Sequence, residues 1–237
     1  RITVVAPYFP YSRQDKKGRG REPISARLVA DLFKTAGADR VMSVDLHAAQ
    51  IQGFFDGPVD HLFAKPVLLE HFQNTLSPED RAKLTVVSPD TGRVRVADTW
   101  SDSLGAPLAI IHKRRDPNVA NQVTVNEIVG QVDGRVCLLV DDMIDTGGTI
   151  VKAAQALKAS GAERVIVAAT HAIFSDPAAQ RLQDPSIDEV VVTDTVPIPA
   201  EKRFDALTIL PIAPLLARAI REVFEDGSVT SMFDGAA

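Results

Sequence analysis

A chain of 237 residues with 45% hydrophobic and 24% charged side chains has the size and composition of one large globular domain or two modest ones. Its net charge of −5 and 5% aromatic content exclude a general nucleic-acid binder, which needs a basic face. The single cysteine, Cys137, excludes a disulfide framework and a cysteine-based metal site and fits cytoplasmic residence; no apolar run reaches the roughly 20 residues of a membrane helix, so no membrane partner is expected.

The opening Ile2-Thr3-Val4-Val5-Ala6 is predicted as a buried strand. A domain seldom starts inside a core strand, so the first domain is expected to be incomplete at its N-terminus. Tyr8 to Gly20 is a Pro- and Gly-punctuated loop. Pro23 and Ser25 then introduce a helix with Leu28, Val29, Leu32, Phe33 and Ala36 on one face, closed by Gly37. Val41 to Leu46 is the next strand, and Ile51 to Val59 reads as irregular, a candidate domain boundary. A helix over 66–72, a strand over 84–87, a helix over 94–104 and a strand over 108–111 follow. A long polar segment runs to about Thr124, then come a strand at 136–140 and a helix at 149–160. Strands at 165–169, 189–193 and 206–210 and a helix at 212–224 complete the pattern. This alternation predicts an α/β fold with largely parallel sheets.

The most informative stretch is Asp141-Asp142-Met143-Ile144-Asp145-Thr146-Gly147-Gly148-Thr149, set between an apolar strand and a helical pattern. Its small residues and threonines open backbone N–H groups at a helix start, which suits a phosphate. The carboxylates just upstream would repel that phosphate and suit sugar hydroxyls or a metal ion. Phosphate at one end and polyol at the other point to a sugar phosphate. Four other features fall at strand ends, where open α/β folds gather ligands. Arg13, Lys16, Lys17, Arg19 and Arg21 concentrate positive charge in a stiff loop, beside the amide of Gln14. His47 follows the second strand, although Mg²⁺ prefers oxygen ligands. Asp90 lies in a small-residue turn with Arg93 and Arg95. Lys113 and Arg115 alternate in an extended segment, so both can face one ligand, and the long segment after them suits a lid.

Together these features resemble the ribose-phosphate pyrophosphokinase (phosphoribosyl-diphosphate synthetase) family over nearly the whole chain. The stretches that carry the resemblance are Tyr11-Ser12-Arg13-Gln14-Asp15-Lys16-Lys17, Pro23-Ile24-Ser25-Ala26-Arg27-Leu28, Asp45-Leu46-His47, Gln50-Ile51-Gln52-Gly53-Phe54-Phe55, and residues 141–149. The resemblance implies two phosphoribosyltransferase-like domains: residues 1–64 with the tail 225–237 in the first, and 65–224 in the second. It implies Mg²⁺-dependent transfer of the diphosphoryl group of ATP to the 1-hydroxyl of ribose 5-phosphate.

By the same resemblance Arg13, Gln14 and His47 bind ATP, His47 and Asp90 hold the metal, and Lys113 and Arg115 are catalytic. Ribose 5-phosphate falls to Arg115, Asp141, Asp142, Asp145, Thr146, Gly147, Gly148 and Thr149. Lys17, Arg21, Gln52, Asp60, Ser228 and Thr230 resemble a regulatory phosphate/ADP site, and assembly from dimers into a hexamer is expected. Arg93 stands where the family usually has a second glycine, and His61 where it has an amide side chain. Two rivals remain: a phosphoribosyltransferase that consumes the activated ribose, and a non-catalytic regulatory relative.

Overall fold

Three short strands rich in β-branched residues, β1 (Thr3–Val5), β2 (Arg40–Val44) and β3 (Val59–Leu62), pair in parallel in the order β1-β2-β3. Parallel neighbours need a crossover, and helix α1 (Ser25–Thr35) supplies the one between β1 and β2. Its buried face, Ala26, Val29 and Ala30, packs with Phe9, Val41, Leu46, Ile51 and Phe55 in a small core. In the computed structural model, which describes residues 1–114 and 125–233, this sheet belongs to one of two contact units. That unit is Arg1–Ala64 together with the chain from Pro211 onward; the other is Lys65–Leu210.

The second unit is built on seven strands. In chain order it contains α2 (Lys65–Thr75), α3 (Pro78–Ala82), β4 (Leu84–Ser88), α4 (Val94–Leu104), β5 (Leu108–Arg114) and β6 (Val125–Val129). It continues with β7 (Val136–Ile144), α5 (Gly148–Ala159), β8 (Arg164–Ala172), α6 (Ala178–Arg181), β9 (Glu189–Thr193) and β10 (Leu207–Leu210). The strand order is β10-β9-β8-β7-β4-β5-β6, parallel throughout except for β6, which runs antiparallel to β5 at the edge. β7 sits at the centre, hydrogen-bonded to β4 and β8, and Val136 to Val140 are all buried. Helix α5 lays Ile150, Ala153, Ala154 and Leu157 on this sheet, within the larger core. A strand buried on both faces reads as a continuous apolar run, as the sequence here does.

The α/β class and the parallel sheets agree with expectation, and four details differ. The segment around 51–59 is no boundary: a 3-10 turn, Ala49–Gly53, leads into β3, which is fully part of the first sheet. The expected polar segment is followed by β6, a short edge strand. β7 runs to Ile144, so Asp141 and Asp142 lie in the strand rather than the loop. Helix α7 (Ala213–Phe224), placed by the sequence division in the second domain, groups with the first unit. Ile220, Val223 and Phe224 of that helix line one cleft with Thr3, Val5 and Met42. The tail beyond it, a 3-10 turn over Val229–Phe233, buries Phe233 edge-on against Phe63.

Leu157, on the inward face of α5, is fully buried. Leu157→Ala is expected to lower unfolding stability by about 2–5 kcal/mol, measured by denaturant titration.

Candidate active site

The loop between β7 and α5 is built from backbone geometry. β7 pairs with β8 as far as Ile144 with Ala172, so the chain leaves the sheet only at Asp145. Gly147 then turns it with φ of +73°, a left-handed conformation that glycine adopts without strain. Gly147 is also the N-cap of α5, and no side chain accepts a hydrogen bond from the helix start. The first-turn amides therefore remain available to an outside acceptor, and the helix dipole favours an anion there. The packing of α6 fixes the loop from behind: Arg181 Nη1 donates to the Thr146 carbonyl at 3.0 Å. A Cβ on Gly148 would stand 3.5 Å from the same Arg181 nitrogen, and one on Gly147 3.6 Å from Ala178 and Leu182.

The acidic end of β7 is electrostatically loaded. Burial, then the neighbouring Asp142 charge, pushes the Asp141 carboxyl up to about 8, against the opposing pull of Arg93. Arg93 closes the short turn after β4. Its Nη2 lies 2.7 Å from Asp142 Oδ2 and its Nε 3.5 Å from Asp141 Oδ1. The turn itself is held by Asp90, whose Oδ1 accepts from the Gly92 and Arg93 amides at 2.8 and 3.1 Å. Asp90, Arg93 and the acidic pair are thus linked through β4 and β7, neighbours in the sheet.

In the first unit, the chain leaves β2 through Asp45, which has a φ of +41°. Asp45 Oδ2 accepts from the Ala64 amide at 3.1 Å, and the Leu46 amide donates to His61 Nε2 at 3.0 Å. The His61 side chain of β3 and the Ala64 amide just beyond it therefore clamp the strand end that carries His47. Because Nε2 accepts, His61 is in the neutral form; burial lowers its pKa, against the raising effect of the Asp45 charge. The basic loop is anchored by the buried Asp15, which accepts a hydrogen bond from Gln50 of the 3-10 turn. Its backbone is pinned where Ala26 N donates to Gln14 O at 3.2 Å, while the side chains of Arg13 and Gln14 are exposed.

Of the expected site residues, the second unit brings together Asp90, Asp141, Asp142, Asp145, Thr146, Gly147, Gly148 and Thr149 at the carboxyl ends of β4 and β7. Lys113 pairs through its backbone with Asn126 across β5 and β6; Arg115 lies outside the described residues. The first unit carries Arg13, Gln14 and His47. Of the regulatory set, Asp60 is already held by Arg40, which donates to both carboxylate oxygens at 2.9 Å. Gln52 donates to Ala49 O at 3.3 Å, and the Ser228 carbonyl accepts from Ser231 at 2.6 Å, while Lys17, Arg21 and Thr230 are not closed in by burial. Sequence reasoning missed four supporting residues: Arg181, His61, and the Asp15–Gln50 pair. Their partners are distant in sequence; the signs of them were the position of Asp15 and Gln50 inside two of the most specific stretches and the departure of His61 from the family pattern.

Oxygen-rich donors suit Mg²⁺. Among the described residues no three His, Cys, Asp or Glu side chains are grouped to hold a metal on their own. The residues present fit an ion that takes one or two protein carboxylates and completes its shell with substrate phosphates and water.

A parallel-rich sheet whose central strand ends in an acidic pair and an uncapped Gly-Gly helix start defines an α/β protein that handles phosphoribosyl groups. The comparisons make this specific. Residues 117–234 match the phosphoribosyl synthetase-associated domain, and residues 1–37 match the N-terminal domain of ribose phosphate pyrophosphokinase. The chain is 67% identical over 233 residues to a ribose-phosphate pyrophosphokinase of Streptomyces avermitilis, covering 98% of this chain and 71% of that one. It is 61% identical over 238 residues to one of Mycobacterium tuberculosis, covering 100% of this chain and 72% of that protein. The crystal structure of phosphoribosylpyrophosphate synthetase from Mycobacterium smegmatis matches with a TM-score of 0.87 at 58% identity, over 96% of this chain and 72% of that one. The chain belongs to the ribose-phosphate pyrophosphokinase family.

The raised pKa of Asp141 has a signed consequence. An acid whose folded pKa lies above its ordinary 3.8 contributes stability that is present below that value and lost as pH rises through about 8. Asp141→Asn removes the ionisation, so it is expected to melt a few degrees above the wild type at pH 8 and level with it near pH 4. Thermal melts of both proteins across that range check this. Gly147→Ala, forced into a left-handed φ, is expected to destabilise by about 1–2 kcal/mol and to weaken ribose 5-phosphate binding, read by calorimetry.

Proposed function

We propose that the two units divide the substrates of the family's reaction. The first carries ATP contacts at Arg13, Gln14 and His47, and the second carries the ribose 5-phosphate loop. The reaction moves the diphosphoryl group of ATP whole onto the 1-hydroxyl of ribose 5-phosphate, giving 5-phosphoribosyl 1-diphosphate and AMP. The observation that carries the reading is the uncapped start of α5, with Gly147 in a left-handed turn, directly after the acidic end of β7.

Each residue then has a physical task. The amides and hydroxyls of residues 145–149 hold the 5-phosphate, using the helix dipole and N–H donors. Asp141 and Asp142 hold the ribose hydroxyls as hydrogen-bond acceptors, fixing the sugar so that its 1-hydroxyl faces the diphosphate. His47 of the first unit and Asp90 of the second are each suited to donate to Mg²⁺ on ATP; the ion, when bound, would screen the phosphate charge. Lys113 and Arg115 place positive charge where the transferring group gathers negative charge in the transition state, the main work a protein does in phosphoryl transfer. Lys17, Arg21, Gln52, Asp60, Ser228 and Thr230 form a weaker proposed site for phosphate or ADP. Its location on the first unit, with Asp60 held by Arg40, is the reason to keep it separate from the ribose loop. Dimers assembling into a hexamer and cytoplasmic residence belong to the same reading, and no described helix is long and apolar enough to cross a membrane.

Of the two rivals, a base-consuming phosphoribosyltransferase has no use for the first-unit constellation of Arg13, Gln14 and His47, each on an anchored backbone. A regulatory relative has no need of an intact ribose-phosphate loop.

AMP formation with Mg²⁺ and ATP is expected to require ribose 5-phosphate. In Lys113→Ala kcat is expected to fall on the order of 10²–10³-fold with little change in either KM, as for loss of a transition-state contact. AMP release without ribose 5-phosphate, or an undiminished kcat in the variant, would refute the assignment.

A further inference from the structure

The five residues assigned to the 5-phosphate, Asp145, Thr146, Gly147, Gly148 and Thr149, include no cation. A phosphate dianion on their amides and hydroxyls is therefore met by partial charges alone, unless a basic side chain acts from another element. Arg181 of α6 is placed to do so. Its Nη1 donates to the Thr146 carbonyl at 3.0 Å, and the same nitrogen lies 3.5 Å from where a Cβ on Gly148 would stand.

The approach of Arg181 is set by the fold. Helix α6 lies directly against the loop: a Cβ on Gly147 would stand 3.6 Å from Ala178 and from Leu182, both fully buried. The chain entering α6 is tied to the end of β7, because the Ile173 and Phe174 amides donate to the Ile144 carbonyl at 3.0 and 3.1 Å. Lys202 Nζ in turn holds the Phe174 carbonyl at 2.7 Å.

A trans peptide points its C=O and N–H in opposite directions. With the guanidinium on the Thr146 oxygen, the Gly147 N–H is directed away from Arg181. A charged donor on a carbonyl polarises the whole amide and strengthens its N–H as a donor, as successive hydrogen bonds reinforce one another. It also holds the plane of a peptide that leads into the left-handed turn at Gly147, where φ is +73°.

We propose that Arg181 is a positioning residue for the 5-phosphate, fixing and polarising the Thr146–Gly147 peptide so that the Gly147 N–H binds the phosphate more strongly. Its charge reaches the ligand through the peptide, without contact. The inference rests on the ribose 5-phosphate reading of the β7–α5 loop.

The test combines two measurements on the full chain in excess Mg²⁺, for the wild type, Arg181→Gln and Arg181→Lys. Ribose 5-phosphate is titrated by calorimetry, and the Gly147 amide proton is followed by NMR on ¹⁵N-labelled protein up to saturation. Arg181→Gln, which loses the charge, is expected to bind about tenfold more weakly, the low end for a hydrogen bond to a charged group because Arg181 is exposed. Arg181→Lys, which keeps a charged donor, is expected to stay within about threefold of the wild type. At saturation the Gly147 proton is expected to move downfield in the wild type and in Arg181→Lys, and by clearly less in Arg181→Gln.

Wild-type affinity in Arg181→Gln would overturn the proposal. Weaker binding with an undiminished Gly147 shift at saturation would also overturn it, since that is the mark of a loosened loop rather than a weakened donor. If Arg181→Gln does not fold, Arg181→Lys decides: loss of its binding with a wild-type melt contradicts the role of charge. A wild type that does not bind ribose 5-phosphate, or binds it with the Gly147 amide unmoved, would instead remove the loop reading, and the role of Arg181 with it.

Discussion

A strand hydrogen-bonded along both edges and buried on both faces can meet a ligand only at its end, and β7 is such a strand. The loop that follows β7 depends on how that end is made. The apolar run from Val136 to Val140 secures the strand in the middle of the sheet, where it has no freedom to shift register without exposing its core face. The strand continues past its apolar part into Asp141 and Asp142, still paired with β8, so the carboxylates inherit the rigidity of the core. Gly147 then reverses the chain within two residues of Asp145, and α5 begins with its amides unclaimed by any side chain. The backbone amides and the carboxylates are thereby fixed on one buried scaffold, as the proposed positioning of a reacting hydroxyl requires.

The same construction creates an electrostatic problem. Burying two adjacent carboxylates raises the free energy of their ionised forms, which is why Asp141 is pushed up to about 8. The fold answers with Arg93 from the neighbouring β4 turn, and Arg181 braces the loop through the Thr146 carbonyl without touching the acids. The first unit follows a parallel logic at the end of β2. There, Asp45 takes a left-handed φ, and Ala64 and His61 hold the turn, so that His47 is offered from a clamped backbone.

Long, strongly patterned elements were legible in the sequence for the reasons that make them stable. β7, α5 and α4 bury continuous or periodic apolar surface, and the sequence shows it directly. β3 was not legible because two of its four residues, Asp60 and His61, are polar; in the fold they are spent on Arg40 and on the Leu46 amide. β6 escaped because an edge strand with Asn126 and Glu127 at its centre lacks the apolar run of a central strand. Helix α7 read correctly as a helix, but its pattern cannot say which unit its apolar face covers; Ile220 and Val223 share a cleft with Val5 and Met42 of the first unit. The glycine-rich loop was legible because its chemistry is local. The Arg93 pairing was not, because the guanidinium comes from the turn after β4 and the acids from β7, far apart in sequence, and they meet only when the two strands pair.

On the proposed reading, the 5-phosphate of ribose 5-phosphate rests on the start of α5 with the sugar hydroxyls toward the end of β7. A crystal structure with ribose 5-phosphate bound tests this most directly. The phosphate is expected at the amides of Thr146, Gly147, Gly148 and Thr149, with ribose hydroxyls within hydrogen-bond reach of Asp141 or Asp142. Phosphate density elsewhere on the chain, or a sugar turned away from both carboxylates, would contradict it.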